Sequence, residues 1–317
     1  MPDLISIEDL SRREIEDIFS SADHIQRSPD DFRRALGGKV VCTLFFESST
    51  RTRWSFEAAA HRLGARVLSV ADMRSTRLHL GESLLDTTRM AGFYCDAVVA
   101  RHASDDVMRR IKETIRVPLI SAGEGRTHHP TQTLIDLYTL RDHFGSVDGL
   151  QIGIAGGIRH SRAARSLIAG LRKFEGVRLH VVDASHDADE GQEFPPEMGD
   201  LHGVAPIEYS SMKEMIGQVD MVYVVRVQPE RFADPAAHAR QLEKSRLHRE
   251  LLSRGSAGLI VMHCLPRTEE LDPDVDETPQ NKYFLQARHA VAVRSATLLR
   301  CMGGRLAGGT VIGRRSC

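Results

Sequence analysis

No C-x-x-C pair occurs in this chain. Its five cysteines, Cys42, Cys95, Cys264, Cys301 and Cys317, are scattered and odd in number. That argues against a disulfide framework or a zinc ribbon and for buried thiols. No apolar stretch approaches the roughly 18 to 20 residues that span a bilayer, so no membrane association is expected. The opening residues, MPDLISIEDLSRREI, lack a basic segment followed by an apolar run, and the expectation is a cytoplasmic protein without a signal peptide. An excess of one charge is also lacking. The formal net charge of −1 gives no global attraction for nucleic acid, and there is no acidic tail. Neither internal repeats nor a low-complexity tract is found.

What is present fits a soluble globular protein, with 41% apolar and 27% charged residues. A length of 317 residues accommodates two domains of ordinary size. Strand-like and helix-like runs alternate, the pattern of an α/β protein with parallel sheets and covering helices. Ser11 followed by Glu14 is a capping box opening a helix through about Ile25. VVCTLFF (40–46) reads as a buried strand. After the polar loop ESSTRTR, Phe56, Ala59, Ala60 and Leu63 share one helical face, and Gly64 ends that helix. DAVVARH (96–102) and VPLISAG (117–123) are two more strands. His129-Pro130 then opens an apolar-periodic helix that stops near Gly145. From Gly149 the pattern restarts with LQIGIAGG, VRLHVVDA, MVYVVRV and GLIVMHCLP as strands, with helical segments between the first three. A last periodic helix covers about 282–302, and the Gly-rich tail GGRLAGGTVIGRRSC is expected to be loose.

Ser49-Thr50-Arg51-Thr52-Arg53 lies between a strand and a helix start. Amides at a helix N-terminus are unpaired and the macrodipole there favours an anion. Hydroxyls and a guanidinium in that loop suit a phosphate, which arginine binds bidentately. A capped, solvated helix start with surface arginines has the same local composition. Two further loops separate these readings. Arg101-His102 ends a strand, and His129-Pro130-Thr131-Gln132 follows another. In open α/β sheets ligands bind at the carboxyl ends of strands, so the three loops form one constellation.

FFESSTRTRWSFEAAAHRLGA, ARH, HHPTQTLIDL, RVQPERF and HCLPR occur in the order and approximate spacing of the aspartate/ornithine carbamoyltransferases, a family that this chain resembles over roughly residues 1–300. The resemblance implies two doubly wound α/β domains. Residues 1–145, completed by a C-terminal helix at about 284–303, would bind carbamoyl phosphate, and residues 146–283 would bind the amino acid. Ser49, Thr50, Arg51 and Thr52 would hold the phosphate. Arg101, His129 and Gln132 would surround the carbamoyl group, with Thr52 helping at the carbonyl. Arg51, Thr52, Arg101 and His129 would carry the chemistry: an amine attacks the carbonyl, a tetrahedral oxyanion forms and phosphate leaves. Donors placed where charge develops each contribute roughly 3 kcal/mol. His129 reads better as a donor to the carbonyl oxygen than as a general base, because a free amine needs only positioning. No metal, cofactor or covalent nucleophile is implied.

In the second domain, Arg162 sits at a strand–helix junction, and Arg226 and Gln228 follow the strand MVYVV. Two arginines at strand ends suit two carboxylates, although surface arginines are common in this chain. Family members that use aspartate carry an arginine in the first place and R-x-Q in the second. The D-x-x-x-S-M-G type sequence of ornithine users is not found, and Ser211-Met212 falls earlier, in a helix-like stretch. His263-Cys264-Leu265-Pro266-Arg267 is mixed: Cys264 is the ornithine-type residue where aspartate users show proline. Leu265 and Pro266 belong to a fixed loop whose carbonyls would receive the substrate ammonium.

The resemblance also implies a homotrimer or a multiple of it, and allows a regulatory or companion chain, because members lend a mobile loop to the neighbouring subunit. In aspartate users that loop carries a serine and a lysine shortly before G-E-x-L-x-D-T. Here Arg74-Ser75-Thr76-Arg77-Leu78-His79-Leu80 precedes Gly81, and Leu80 stands in the lysine position. Leucine neither donates a hydrogen bond nor carries charge. Arg77 or His79 is the candidate substitute. Two readings compete with aspartate transfer: transfer to another amino acid in a specialised pathway, and a catalytically silent homologue that binds ligand or assembles with a partner. A dinucleotide site on Gly153, Gly156, Gly157 and Asp183 fits less well, because the spacing is G-x-x-G-G rather than G-x-G-x-x-G.

Overall fold

A computed structural model describes residues 2–185 and 196–303. Cys317 and most of the Gly-rich tail lie outside them. The chain divides into two compact units, Met1–Leu134 with the segment from His289, and Ile135–Arg288. The expected boundary at 145 follows a helix. By its contacts the chain divides within that helix, after Leu134.

The first unit begins with α1 (Arg12–Arg27), opened by the capping box: Glu14 N–H donates to Ser11 Oγ, and Ser11 N–H to the Glu14 carboxylate at 2.9 Å. Its strands are β1 (Val40–Phe45), β2 (Arg66–Val70), β3 (Ala97–His102) and β4 (Leu119–Glu124), all parallel in the order β2-β1-β3-β4. The covering helices are α2 (Thr50–Arg62), α3 (Leu84–Tyr94), α4 (Val107–Thr114) and the first turn of α5 (Pro130–Phe144). One apolar cluster joins β1, β3 and β4 to α3 and α4 through Cys42, Leu44, Val98, Ala100, Met108, Ile111 and Leu119. β2 was not expected. It is an edge strand with Arg66, Leu68 and Ser69 exposed, so it lacks the continuous apolar run that marks a buried parallel strand.

The second unit has β5 (Gln151–Gly156), α6 (Arg162–Leu171), β6 (Arg178–Asp183), α7 (Pro196–Gly199), β7 (Ile207–Glu208), α8 (Met212–Met215), β8 (Met221–Val225), α9 (Pro235–Ser245), α10 (Arg249–Leu252) and β9 (Ile260–Met262). The parallel order is β7-β6-β5-β8-β9. α9 and α10 add a helical layer between β8 and β9 that the sequence pattern did not suggest. α11 (Tyr283–Met302) closes the described chain. In the first unit, its Arg294 donates to the Ser55 hydroxyl and its Arg300 pairs with Glu14 at 3.0 Å. Both architectures are α/β with parallel sheets. Among the described residues, no helix is long and apolar enough to cross a membrane.

Candidate active site

β1, β3 and β4 are consecutive neighbours in their sheet, so the loops after them leave the same edge. The first of these loops runs into α2. Ser49 is its N-cap, but its hydroxyl makes no capping hydrogen bond. The first helical bond is from Arg53 N–H to Ser49 O at 3.3 Å, so the amides of Thr50, Arg51 and Thr52 precede the helical ladder. A helix start normally gathers acidic side chains. This first turn has none and carries Arg51 and Arg53 instead. Arg53 is committed to Glu57 at 3.7 Å and to Ser69 Oγ at 3.3 Å. Arg51 is exposed, with no ion pair among the described residues. Thr52 is buried. Cations placed against the positive end of a dipole are consistent with an anion between them.

Arg101 is the last but one residue of β3 and only 9% exposed. The β3–β4 register shifts here: Ala100 pairs with Ser121 and His102 with Glu124, so Ala122 and Gly123 together oppose Arg101. Such a bulge re-aims a side chain at a strand end. Arg101 Nη1 donates to the Ala122 carbonyl at 3.2 Å, and its Nε lies 3.1 Å from a Glu47 carboxylate oxygen. The Arg101 carbonyl accepts from Phe46 N–H at 3.0 Å. The β1 loop is thereby tied to Arg101 by backbone and by charge. Gly123 has φ +116°, and a Cβ there would lie 3.0 Å from Arg101 Nη1 and 3.5 Å from His129 Cδ2. Gly123 is therefore the point at which Arg101 and His129 meet. His129 is buried and its carbonyl receives the Gln132 and Thr133 amides at 3.0 and 3.1 Å, starting α5. Gln132 is half-buried in that first turn.

The loop 73–80 forms two short 3-10 turns, Met73–Ser75 and Arg77–Leu80. Arg77 and His79 are exposed, and Leu80 is 64% exposed. The His79 ring bonds the Thr76 carbonyl. Among the described residues, neither side chain makes a hydrogen bond or ion pair with Ser49, Thr50, Thr52, Arg101 or His129.

The second unit repeats the scheme. β5, β8 and β9 are consecutive neighbours, and Arg162, Arg226 with Gln228, and Leu265 with Pro266 follow their carboxyl ends. Gly156 has φ +122°, and a Cβ there would meet the Val225 carbonyl at 1.9 Å. Only glycine lets β5 end so close to the residue before Arg226. Ser161 caps α6 by accepting from Ala164 N–H at 3.2 Å, and half-buried Arg162 opens the helix. Arg226 holds Glu230 at 3.1 Å, with a side chain 42% exposed and a buried Nε that finds no hydrogen-bond partner among the described residues. Gln228 accepts from Arg231 Nε. Leu265 has φ +54° and donates its N–H to His263 Nδ1 at 2.8 Å, while Pro266 is exposed. Asp183, the acid a dinucleotide ribose would need, is paired with Arg159 and accepts from Ser185 Oγ.

The sequence reading missed Glu47, which holds Arg101, Glu230, which holds Arg226, and the glycine that seats Arg101 beside His129. Their common signal is a strand end, visible only once the strands are known.

A family model for the carbamoyl-phosphate-binding domain of aspartate/ornithine carbamoyltransferases matches residues 2–142, and one for the Asp/Orn-binding domain matches residues 148–301. The aspartate carbamoyltransferase catalytic subunit of Thermofilum pendens is 40% identical over 302 residues, 95% of each chain. The corresponding subunit of Methanocorpusculum labreanum is 39% identical, covering 93% of this chain and 96% of its own. The catalytic subunit of M. jannaschii aspartate transcarbamoylase superposes with a TM-score of 0.85 at 37% identity, over 94% of this chain and 97% of that one. The Trypanosoma cruzi aspartate transcarbamoylase in complex with carbamoyl phosphate and aspartate gives 0.85 at 29% identity, over 94% of each chain. With both of its halves matched and relatives this close along nearly its whole length, the chain belongs to the aspartate/ornithine carbamoyltransferase family.

Proposed function

We propose that this chain transfers the carbamoyl group of carbamoyl phosphate to the amine of aspartate or a closely similar dicarboxylate amino acid. The observation that carries this reading is the meeting of Arg101 and His129 at Gly123, beside a helix start whose first turn holds cations and no acid. Phosphate is held by the α2 amides with Ser49, Thr50, Arg51 and Thr52. Arg101, His129 and Thr52 donate to the carbamoyl oxygen, with Gln132 at the carbamoyl amide. The amine attacks the carbonyl carbon, the tetrahedral oxyanion forms under those donors, and the bond to the phosphate oxygen breaks. Donors fixed before the charge develops lower that barrier without reorganising. Arg162 and Arg226, with Gln228, take the two carboxylates of the acceptor, and the carbonyls of Leu265 and Pro266 take its amine. The names of the relatives and the aspartate bound in the Trypanosoma cruzi complex support this assignment.

The assembly that goes with this reading is a homotrimer or a multiple of it. The exposed apolar face of α3, with Met90, Phe93 at 72% and Tyr94 at 61% exposure, supports a covered surface there. Arg77 or His79 is the candidate for the cation that Leu80 does not supply to a neighbouring subunit. Sedimentation at micromolar concentration returns a trimer, and a monomer alone would count against the assembly.

A colorimetric assay for ureido products, run with carbamoyl phosphate against a panel of amino acids, tests the activity. Aspartate is carbamoylated and ornithine is not; the reverse result overturns the acceptor assignment. A specialised acceptor is the second reading, favoured by Leu80, and the same panel detects it.

A further inference from the structure

Below the loop assigned to the acceptor amine, a chain of buried polar groups has no role in the reaction as described so far. β9 ends at Met262, and His263 follows it into the core at 2% exposure. His263 Nε2 lies 3.0 Å from Glu270 Oε1, with both side chains 1% exposed. His263 Nδ1 is 2.8 Å from the Leu265 amide. An amide N–H only donates, so Nδ1 must be the unprotonated acceptor; Nε2 then carries the proton and donates it to Glu270. The carboxylate is anchored in turn by the Thr268 amide at 2.9 Å and the Thr268 hydroxyl at 2.6 Å. Burial favours the neutral acid, but the bonds from His263 and Thr268 outweigh it and hold the Glu270 carboxyl down at about 2. The His263 amide donates to Gln286 Oε1 at 3.0 Å, Gln286 Nε2 to Asp136 at 2.6 Å, and the Tyr223 hydroxyl to Asp136 at 3.0 Å. The Cys264 thiol also reaches the Tyr223 hydroxyl.

A histidine with both nitrogens satisfied is, by default, a packing residue. Here one of its bonds does something a packing residue need not do. Leu265 sits at φ +54°, the left-handed region that a residue with a Cβ adopts only when its surroundings hold it there. The bond to His263 Nδ1 is the one side-chain hydrogen bond recorded on that backbone among the described residues. It fixes the Cys264–Leu265 peptide, and with it the N-terminal side of the residue whose own carbonyl, with that of Pro266, is assigned to the amine.

We propose that Glu270 and His263 are positioning residues for the acceptor amine: Glu270 fixes the Nε2–H tautomer of His263, and His263 Nδ1 fixes Leu265 so that the carbonyls of Leu265 and Pro266 are ready for the incoming amine. This rests on the reading that the loop receives the amino acid. The proline of aspartate users is replaced by Cys264, which cannot stiffen the backbone. Here the side-chain bonds of His263, with the contact of Cys264 on Tyr223, hold the loop instead.

The test is a pair of substitutions with opposite geometry. Asparagine places its amide oxygen near the position of Nδ1, and glutamine places its amide nitrogen near that of Nε2. His263→Gln keeps a donor for Glu270 and loses the acceptor for Leu265, so KM for aspartate rises about tenfold or more while carbamoyl-phosphate affinity in calorimetry is unchanged. His263→Asn restores the acceptor and recovers most of that loss. Equal effects of the two on KM, or a loss confined to kcat, overturn the proposal. A second measurement needs no variant. The 15N shifts of the His263 ring in the wild-type enzyme show Nε2 protonated and Nδ1 free of a proton, and the opposite tautomer overturns the proposal even where both variants fail to fold. If another amino acid is the acceptor, the function assigned above fails while the KM comparison is made with that substrate and the ring tautomer stands independently.

Discussion

The sites proposed in the two units share one device, three loops from three neighbouring parallel strands, yet the units hold their arginines differently. In the first unit Arg101 is 9% exposed and clamped by the Ala122 carbonyl and Glu47 against a glycine. In the second unit the Arg226 side chain is 42% exposed and its partner is an acid one turn ahead on an exposed segment. A buried, multiply bonded guanidinium is in place before substrate arrives, which is what stabilising a developing oxyanion requires. On the proposed assignment, a half-exposed one exchanges an ion pair worth about 0–1 kcal/mol for the substrate carboxylate. The first arrangement suits an invariant chemical step, and the second a binding preference that can be tuned without disturbing that step.

Removing Arg101 breaks this comparison most severely. Arg101→Ala deletes the proposed donor to the oxyanion and leaves Glu47 partly buried without its charge partner, so kcat falls about 10³-fold and stability drops by about 3 kcal/mol, read by single-turnover kinetics and thermal unfolding. Leu80→Lys tests what the first site lacks. A cation reaching the phosphate acts mainly as charge grows on the oxygens, so kcat with aspartate rises by about 10² while KM changes little. If Arg77 or His79 already supplies that cation, wild-type turnover is brisk and Arg77→Ala or His79→Ala slows it instead. In the second unit, Arg226→Ala raises KM for aspartate by about 10- to 100-fold, the loss of one charge-assisted pair, and leaves carbamoyl-phosphate affinity unchanged in calorimetry. A matched loss of carbamoyl-phosphate affinity would erase the division of labour between the units. The smallest effect is expected from Glu230→Gln. It weakens the competing ion pair and lowers KM for aspartate about twofold to fivefold; a rise in KM would mean that Glu230 aims Arg226 rather than competing for it.

What was legible in the sequence was whatever depends on local order. The helix start after Ser49 could be read from contiguous residues, and the anion site proposed on it rests on the same stretch. The β1, β3, β5 and β8 runs read as strands because buried parallel strands are continuous apolar runs. β2 failed that criterion because it lies at an edge, and β9 is only Ile260–Met262 because the chain turns at His263. Glu47, Glu230 and Glu270 were invisible for another reason. A carboxylate in a loop carries no sign of its partner, and Glu47 meets Arg101 only because β1 and β3 are adjacent.

The division of the chain has a consequence for its synthesis. The second unit is a continuous segment, Ile135–Arg288, whereas the first is interrupted and resumes at His289. The contacts of Arg294 with Ser55 and of Arg300 with Glu14 join residues at opposite ends of the polypeptide. At about 5–20 residues per second, a nascent first unit waits roughly 8 to 30 s for the part of α11 that completes it. Through that interval the face awaiting α11 is uncovered. The continuous second unit is therefore complete in the growing chain before the first unit, although the first is begun earlier.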